Sequence, residues 1–271
     1  MKITVLANRD LPASYALNLL VPELLEHGSL RIFLSSHVGS GADVPRPLRE
    51  LAFFEQTLCN ELLFPALGDS APGELLSFEA LGRRIGSELE ILDRINSRRG
   101  LERLQSTEPD LVLSIRYGGI LRPRAIAVPR LGVLNLHSGL LPRYRGVMAT
   151  FRALLHGETE IGTTLHTIED AGIDTGAVIG QTRLAVRPDR SYLWHVLSLY
   201  PDGCRLMLDA VDRLRQGLPL EPQPQGEEGA YYTFPDDDEL RRFAETGRRL
   251  YDLDEVRAFA GRYLAPGTPT S

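Results

Sequence analysis

Lysine is nearly missing from this sequence. Lys2 is the only one among 30 basic residues, and every other cation is an arginine. That is a genome-composition bias and carries no functional signal. Cysteine is scarce as well: Cys59 and Cys204 lie far apart and form no CxxC pair or Cys/His cluster. A disulfide scaffold is thereby excluded, two free thiols in a reducing compartment are expected, and no metal is expected. No apolar run is long enough to span a membrane, and the first one, Met1 to Ala7, meets Asn8-Arg9-Asp10 too soon for a secretory h-region. The expectation is a cytoplasmic protein that does not engage membranes. Excess positive charge is absent too: 36 acids against 30 bases give a net charge of −6. Such a chain has no general attraction for phosphate backbones, so nucleic acid is disfavoured as a partner unless a basic patch is localised.

What is present is an ordinary globular composition, 43% apolar and 24% charged over 271 residues. That is room for one large α/β unit and a smaller C-terminal one. Lys2 to Ala7 reads as a buried strand, Leu11 to His27 as a helix that Pro22 should kink or break, and Leu30 to Leu34 as a second strand. A β-α-β start of this kind predicts a parallel sheet with helices on its faces. His37 to Pro47 reads as a Gly/Pro-rich loop, followed by an irregular helical region to Leu63 and a break over Pro65 to Gly73. A helix from Arg98 to Gln105, strands over Asp110 to Ile115 and Gly132 to His137, and a helix from Ala149 to His156 come next. Gly162 to Ile168 and Val178 to Val186 are further strands, the second closing the sheet.

The character changes after Pro188. A helix over Tyr192 to Gln216, interrupted near Pro201 and Gly203, leads to a Pro/Gln/Gly/Glu-rich linker over Pro219 to Gly229. A short strand, Ala230 to Phe234, precedes a final helix opened by the acidic run Asp236 to Glu239, whose carboxylates suit a helix N-terminus. The expected division is residues 1–189 as a catalytic domain and 190–271 as a small α+β C-terminal region.

The chemistry-bearing stretch runs from Asp110 to Gly176. Asn135 and His137 are two apart on a strand, so both side chains point to one face. They close that strand just before the loop Ser138 to Gly146, and ligands of open parallel sheets bind beyond the carboxyl ends of strands. Asp174 follows after one helix and one strand, a connection long enough to bring it back to the neighbouring strand end. An amide, an imidazole and a carboxylate converging in this way suit acyl transfer to an amine. Asn135 and protonated His137 can hydrogen-bond the oxygen that becomes an oxyanion, while Asp174 raises the basicity of His137 and shuttles the proton. The attacking amine needs no covalent nucleophile, and no GxSxG elbow is present.

The run Asn135-Leu-His137-Ser-Gly-Leu-Leu-Pro142-Arg-Tyr-Arg-Gly146, with Gly162-Thr-Thr-Leu-His166 and Asp170-Ala-Gly-Ile-Asp174-Thr-Gly176, resembles the formyltetrahydrofolate-dependent formyltransferases. That family includes glycinamide ribonucleotide, methionyl-tRNA and sugar N-formyltransferases. The resemblance covers Pro109 to Val186, and the N-terminal portion only in pattern. It implies an α/β, Rossmann-like, mostly parallel sheet with helices on both faces. It also implies N10-formyltetrahydrofolate as co-substrate and Asn135, His137 and Asp174 as the catalytic trio. The pterin would be held by the segment Arg116, Tyr117, Gly118, Gly119, Ile120 and Leu121 together with Glu169 and Asp170. A homodimer through the C-terminal part follows by analogy alone.

Departures from the family pattern narrow the acceptor. Many relatives have Pro-Ser after the histidine where this chain has Ser138-Gly139, which implies altered acceptor geometry. The first βα turn reads Ala7-Asn-Arg-Asp-Leu-Pro-Ala13, without the glycines that let backbone wrap a phosphate, so glycinamide ribonucleotide is disfavoured. From Arg190 onward there are ten arginines, no lysine and fourteen acids, a net of −4 and the wrong sign for tRNA. The expectation is a small-molecule amine or hydroxylamine acceptor, such as a nucleotide-linked amino sugar or an ornithine-type side chain. Formylation of methionyl-tRNA, a formate-releasing hydrolase, and a non-catalytic binding module on the same fold are the alternatives.

Overall fold

A computed structural model describes residues 1–36, 44–68, 70–226 and 228–264. The first half runs β1 (Lys2–Asn8), α1 (Leu11–Glu26), β2 (Ser29–Ser35), α2 (Arg46–Ala52), a π-helical stretch (Phe53–Leu63), α3 (Phe64–Leu67), α4 (Phe78–Ile85) and β3 (Glu90–Ile91). Next come α5 (Arg98–Gln105), β4 (Leu111–Ile115), α6 (Pro123–Ile126), β5 (Val133–His137), β6 (Tyr144–Gly146) and α7 (Ala149–Leu155). The chain ends with β7 (Glu160–Thr167), β8 (Val178–Ala185), α8 (Tyr192–Arg215), β9 (Ala230–Tyr232), α9 (Asp237–Glu245) and α10 (Leu253–Gly261).

Seven strands form one sheet in the order β3-β2-β1-β4-β5-β7-β8. The first five are parallel, while β7 and β8 are antiparallel additions at one edge. Alternate residues of the central strands feed two cores. Val5, Leu113 and Leu134 face α1 and α8, while Leu6, Val112 and Val133 face α5 and α6. This is a mostly parallel, Rossmann-like sheet covered on both faces. Among the described residues no helix is long and apolar enough to cross a membrane, and both cysteines are free and buried.

Neither the break that was the alternative to a kink at Pro22 nor the interruption expected near Pro201 and Gly203 appears. α1 runs through Pro22 and α8 through Pro201 as single elements. An interior proline costs about 3 kcal/mol, but burying Leu17, Leu20, Val21 and Leu24 of α1 returns roughly 2 kcal/mol each. Gly203 has a packing reason: a Cβ there would lie 2.9 Å from Thr163 Oγ1, so glycine lets α8 settle onto β7. Of the Gly/Pro-rich loop expected over residues 37–47, residues 37–43 lie outside the described residues and Arg46 already opens α2. The break expected from Pro65 begins only at Gly68, because α3 continues the π-helical stretch. The acidic run does cap a helix: Asp236 and Glu239 form a reciprocal capping box on α9. That helix is not the last, since Asp252 caps a further one, α10.

Candidate active site

Asn135 and His137 sit on one face of β5, opposite the antiparallel neighbour β7 in the register Asn135↔His166 and His137↔Thr164. Asp174 therefore does not arrive by a parallel crossover. The loop from β7 to β8 starts level with the beginning of β5, where the Ile168 N–H donates to the Val133 carbonyl at 2.9 Å. It then doubles back so that Asp174, at φ 56°, meets the histidines.

The contacts define the protonation pattern. His137 Nε2–H donates to the Tyr144 carbonyl at 2.7 Å, so Nδ1 is the nitrogen that faces Asp174 Oδ2, 3.4 Å away. His166 Nδ1–H donates to the Thr167 carbonyl at 2.8 Å, which leaves Nε2 to accept from Asn135 Nδ2–H at 3.0 Å. The same Nε2 lies 3.4 Å from Asp174 Oδ1. One carboxylate is thus flanked by two imidazoles and also accepts the Gly146 N–H at 2.8 Å. Burial alone would raise the Asp174 carboxyl; the adjacent His137 and His166 imidazoles and the Gly146 N–H outweigh it and hold the group at about 2. The carboxylate is ionised near neutrality, in a cluster where both histidines are more than nine-tenths buried.

The loop after β5 is shaped to admit the His137 ring. A Cβ on Gly139 would stand 2.7 Å from His137 Nε2 and 2.5 Å from Ala149 Cβ, so the Ser-Gly pair here gives the ring space that a larger residue would take. Arg143 pairs with Glu158 and lies over the Tyr144 ring, and Arg145 donates to Gln225 Oε1; both arginines shape the loop.

The segment after β4 divides. Arg116 adopts φ 56° and turns its side chain inward, its Nε donating to Asp10 Oδ2 at 2.9 Å and its Nη2 lying 3.5 Å from Glu55. Tyr117 is half-buried, its hydroxyl donating to the Leu92 carbonyl, and the Gly118 N–H donates to Ser35 Oγ. Gly119 is partly buried. Ile120 is 52% exposed although large and apolar, whereas Leu121 beside it is buried. Glu169 and Asp170 are exposed at the mouth of the loop carrying Asp174.

At the first βα turn, Asp10 fills the helix N-terminus itself. Its Oδ1 accepts from the Ala13 N–H at 2.8 Å, and its Oδ2 receives Asn8 and Arg116. Sequence reasoning left His166, the Tyr144 carbonyl and the Gly146 N–H without a role. His166 could have been found only from the β5–β7 register, which spacing does not give.

Residues 94–193 match the family described as formyl transferase. Over 132 residues the chain is 38% identical to a methionyl-tRNA formyltransferase of Burkholderia cenocepacia, a match that takes in 49% of this chain and 40% of that protein. The matched stretch is therefore less than half the length of that relative. Among solved structures, the N-formyltransferase from Helicobacter canadensis in complex with folinic acid and dTDP-3-aminofucose aligns with a TM-score of 0.59 at 16% identity, over 99% of this chain and 84% of that one. Glycinamide ribonucleotide transformylase 1 from Symbiobacterium toebii aligns with a TM-score of 0.56 at 21% identity, over 83% and 93%. At these identities the likeness to the solved structures is one of fold.

Proposed function

Proceeding from a chain whose residues 94–193 match the formyl transferase family, we propose that it transfers a formyl group from N10-formyltetrahydrofolate to the amine or hydroxylamine of a small molecule. A nucleotide-linked amino sugar or an ornithine-type amino acid has the required nitrogen. The observation that carries this reading is the run of contacts Asn135–His166–Asp174–His137, which gathers the four side chains into one cluster.

The carrier supplies an electrophilic formyl carbon and leaves as tetrahydrofolate; the amine loses a proton and gains the formyl group. Ile120 offers an exposed apolar surface to the pterin, and the Leu121 backbone offers a donor and an acceptor for its edge. Glu169 and Asp170 border the same mouth. The Arg116 side chain is committed to Asp10 and Glu55, so only its backbone is available to the pterin.

Asn135 gives one N–H to His166 and keeps the second for the oxygen that gains charge as the amine adds. Both His137 nitrogens are engaged within the protein, so His137 reaches the reacting group when Nε2–H exchanges the Tyr144 carbonyl for it. Asp174, held ionised, orients His137 through Nδ1, and the proton that the attacking nitrogen releases passes by way of the His137–Asp174 pair to N10 of the departing tetrahydrofolate. Asp10, by occupying the α1 N-terminus with a carboxylate, opposes a phosphate at that turn and so opposes a glycinamide ribonucleotide acceptor.

Methionyl-tRNA is the second reading, favoured by the 38% identity to a methionyl-tRNA formyltransferase and opposed by the acidic balance beyond Arg190. Calorimetric titration with folinic acid tests the carrier, and saturable binding is expected. Turnover of formyltetrahydrofolate with dTDP-3-aminofucose, ornithine and methionyl-tRNA then separates the acceptors. Turnover with tRNA alone, falling steeply with salt, would replace the small-molecule reading. A chain that binds neither the carrier nor any acceptor would be a non-catalytic module.

A further inference from the structure

The segment between α8 and β9 has the composition of a linker, yet its hydrogen bonds lay it across the candidate catalytic loops. Gln223 forms an antiparallel bridge with Val178 at the start of β8, with both bonds 2.7 Å. Seven residues later β9 pairs with β6 in the register Tyr144↔Ala230, Arg145↔Tyr231 and Gly146↔Tyr232. Midway, the Gln225 carboxamide is fully used. Its Nε2 donates to the Asp174 carbonyl at 2.9 Å and the Gly176 carbonyl at 2.7 Å, and its Oε1 accepts from Arg145 Nη2 at 3.1 Å and Nε at 3.3 Å.

We propose that Gln225 is a positioning residue for formyl transfer, tying the Asp174 turn through the Arg145 side chain to β6, the strand whose backbone orients His137. The proposal rests on the function proposed above. Arg145 lies between the two residues of β6 that fix the pair: the Tyr144 carbonyl accepts His137 Nε2–H, and the Gly146 N–H donates to Asp174 Oδ2. A single carboxamide therefore links the backbone of the Asp174 turn to the side chain of Arg145 on β6, on the two sides of the His137–Asp174 contact.

The Asp174 turn needs such a hold. Asp174 sits at φ 56°, a left-handed conformation that non-glycine residues adopt at a cost, smaller for Asp than for most. Gly176 packs so tightly that a Cβ would lie 1.7 Å from the Thr167 carbonyl oxygen, so the turn has no slack in that direction. Nor is β9 loosely attached. Tyr232 stacks on Tyr144 with centroids 6.0 Å apart, and Arg152 lies over the Tyr232 ring while paired with Glu239. The strap is anchored at Gln223 and at β9, with Gln225 as the contact between them that reaches the candidate catalytic carboxylate. A glutamine in a plain linker would turn to solvent; this one is half-buried with its donors and its acceptor engaged within the protein.

Gln225→Met keeps length and bulk and removes every one of these hydrogen bonds. Gln225→Glu keeps an acceptor for Arg145 but sets a carboxylate oxygen against two carbonyls, and serves if the methionine variant fails to fold. The primary readout is a carboxyl-carbon NMR titration of Asp174, which needs no acceptor. A rise in its pKa by about one unit, a tenfold loss of acidity, is expected in both variants. With formyltetrahydrofolate and dTDP-3-aminofucose as probes, kcat should fall about tenfold to a hundredfold while the KM for the carrier stays within about twofold. An Asp174 titration unchanged from wild type in a folded variant overturns the proposal. Failure of the wild-type protein to transfer formyl to any amine, with the titration still shifted, overturns the proposed function and leaves the brace standing.

Discussion

Replacing Asp174 with asparagine keeps the shape of the side chain and removes its charge. The carboxylate sits 3.4 Å from each of two imidazole nitrogens and accepts a backbone N–H at 2.8 Å. These partners hold it at about 2 in the folded protein, against 3.8 for a free side chain. The difference, converted at about 1.4 kcal/mol per unit, makes the ionised group worth roughly 2 kcal/mol to the fold at neutral pH. Because the folded value lies below the unfolded one, that contribution is fully present above pH 3.8 and is lost as pH falls through about 2. Urea denaturation of the wild type and Asp174→Asn should therefore differ by roughly 2 kcal/mol at pH 7. The gap should narrow below pH 4 and nearly close at the lowest pH where both are folded. Formyl transfer, followed by release of tetrahydrofolate, should drop about 10²–10⁴-fold, the usual worth of a group that handles the reaction's proton. A stability gap that is the same at pH 7 and pH 3 would refute the electrostatic account. Activity within a few-fold of wild type would remove Asp174 from the mechanism.

His137→Ala should lower kcat by about 10²–10⁴-fold with carrier binding, measured by folinic acid titration, left intact; near-wild-type kcat would exclude His137. Gly139→Ser places a Cβ 2.7 Å from His137 Nε2 and 2.5 Å from Ala149 Cβ. It should cost about 1–3 kcal/mol in thermal or urea unfolding and reduce kcat by displacing the imidazole, and unchanged stability and rate would contradict the packing. Burial pushes the Glu55 carboxyl up to about 7, with Arg116 pulling it down and Asp10 pushing it up. Its folded value exceeds the unfolded 4.5, so its contribution to stability is present below pH 4.5 and lost as pH rises through 7. Glu55→Gln should accordingly flatten the loss of stability of the wild type between pH 5 and 8 in urea titrations, whereas an identical slope in both proteins would show that Glu55 does not titrate there.

The elements with a strong period were legible. β4 is buried throughout, apolar but for Ser114, because both its faces are covered, α5 lies between a serine cap and its expected end at Gln105, and the Asp236 cap follows from carboxylates before an apolar-periodic run. Asn135 and His137 could be placed on one face because strand geometry fixes that relation within three residues. The interruption expected in α8 near Pro201 did not follow because propensity is local, while the buried leucines that outweigh proline, there and at Pro22 of α1, act through α1–α8 packing. β6 and β9 are three residues each, too short to carry any alternation, so their pairing left no trace in the sequence.

The sequence by itself determined the sheet-forming runs, the two catalytic candidates on β5 and the carboxylate that answers them. Motif and strand period act over a few residues, and those residues specify them. Tertiary structure alone decided that β7 runs antiparallel and sets His166 opposite Asn135. It likewise turned Arg116 inward to Asp10 and carried Gln225 back to the Asp174 turn. Each of these joins residues tens to a hundred positions apart. Such pairings are chosen by burying apolar faces and satisfying every buried donor and acceptor at once, a condition on the whole chain that no short segment encodes.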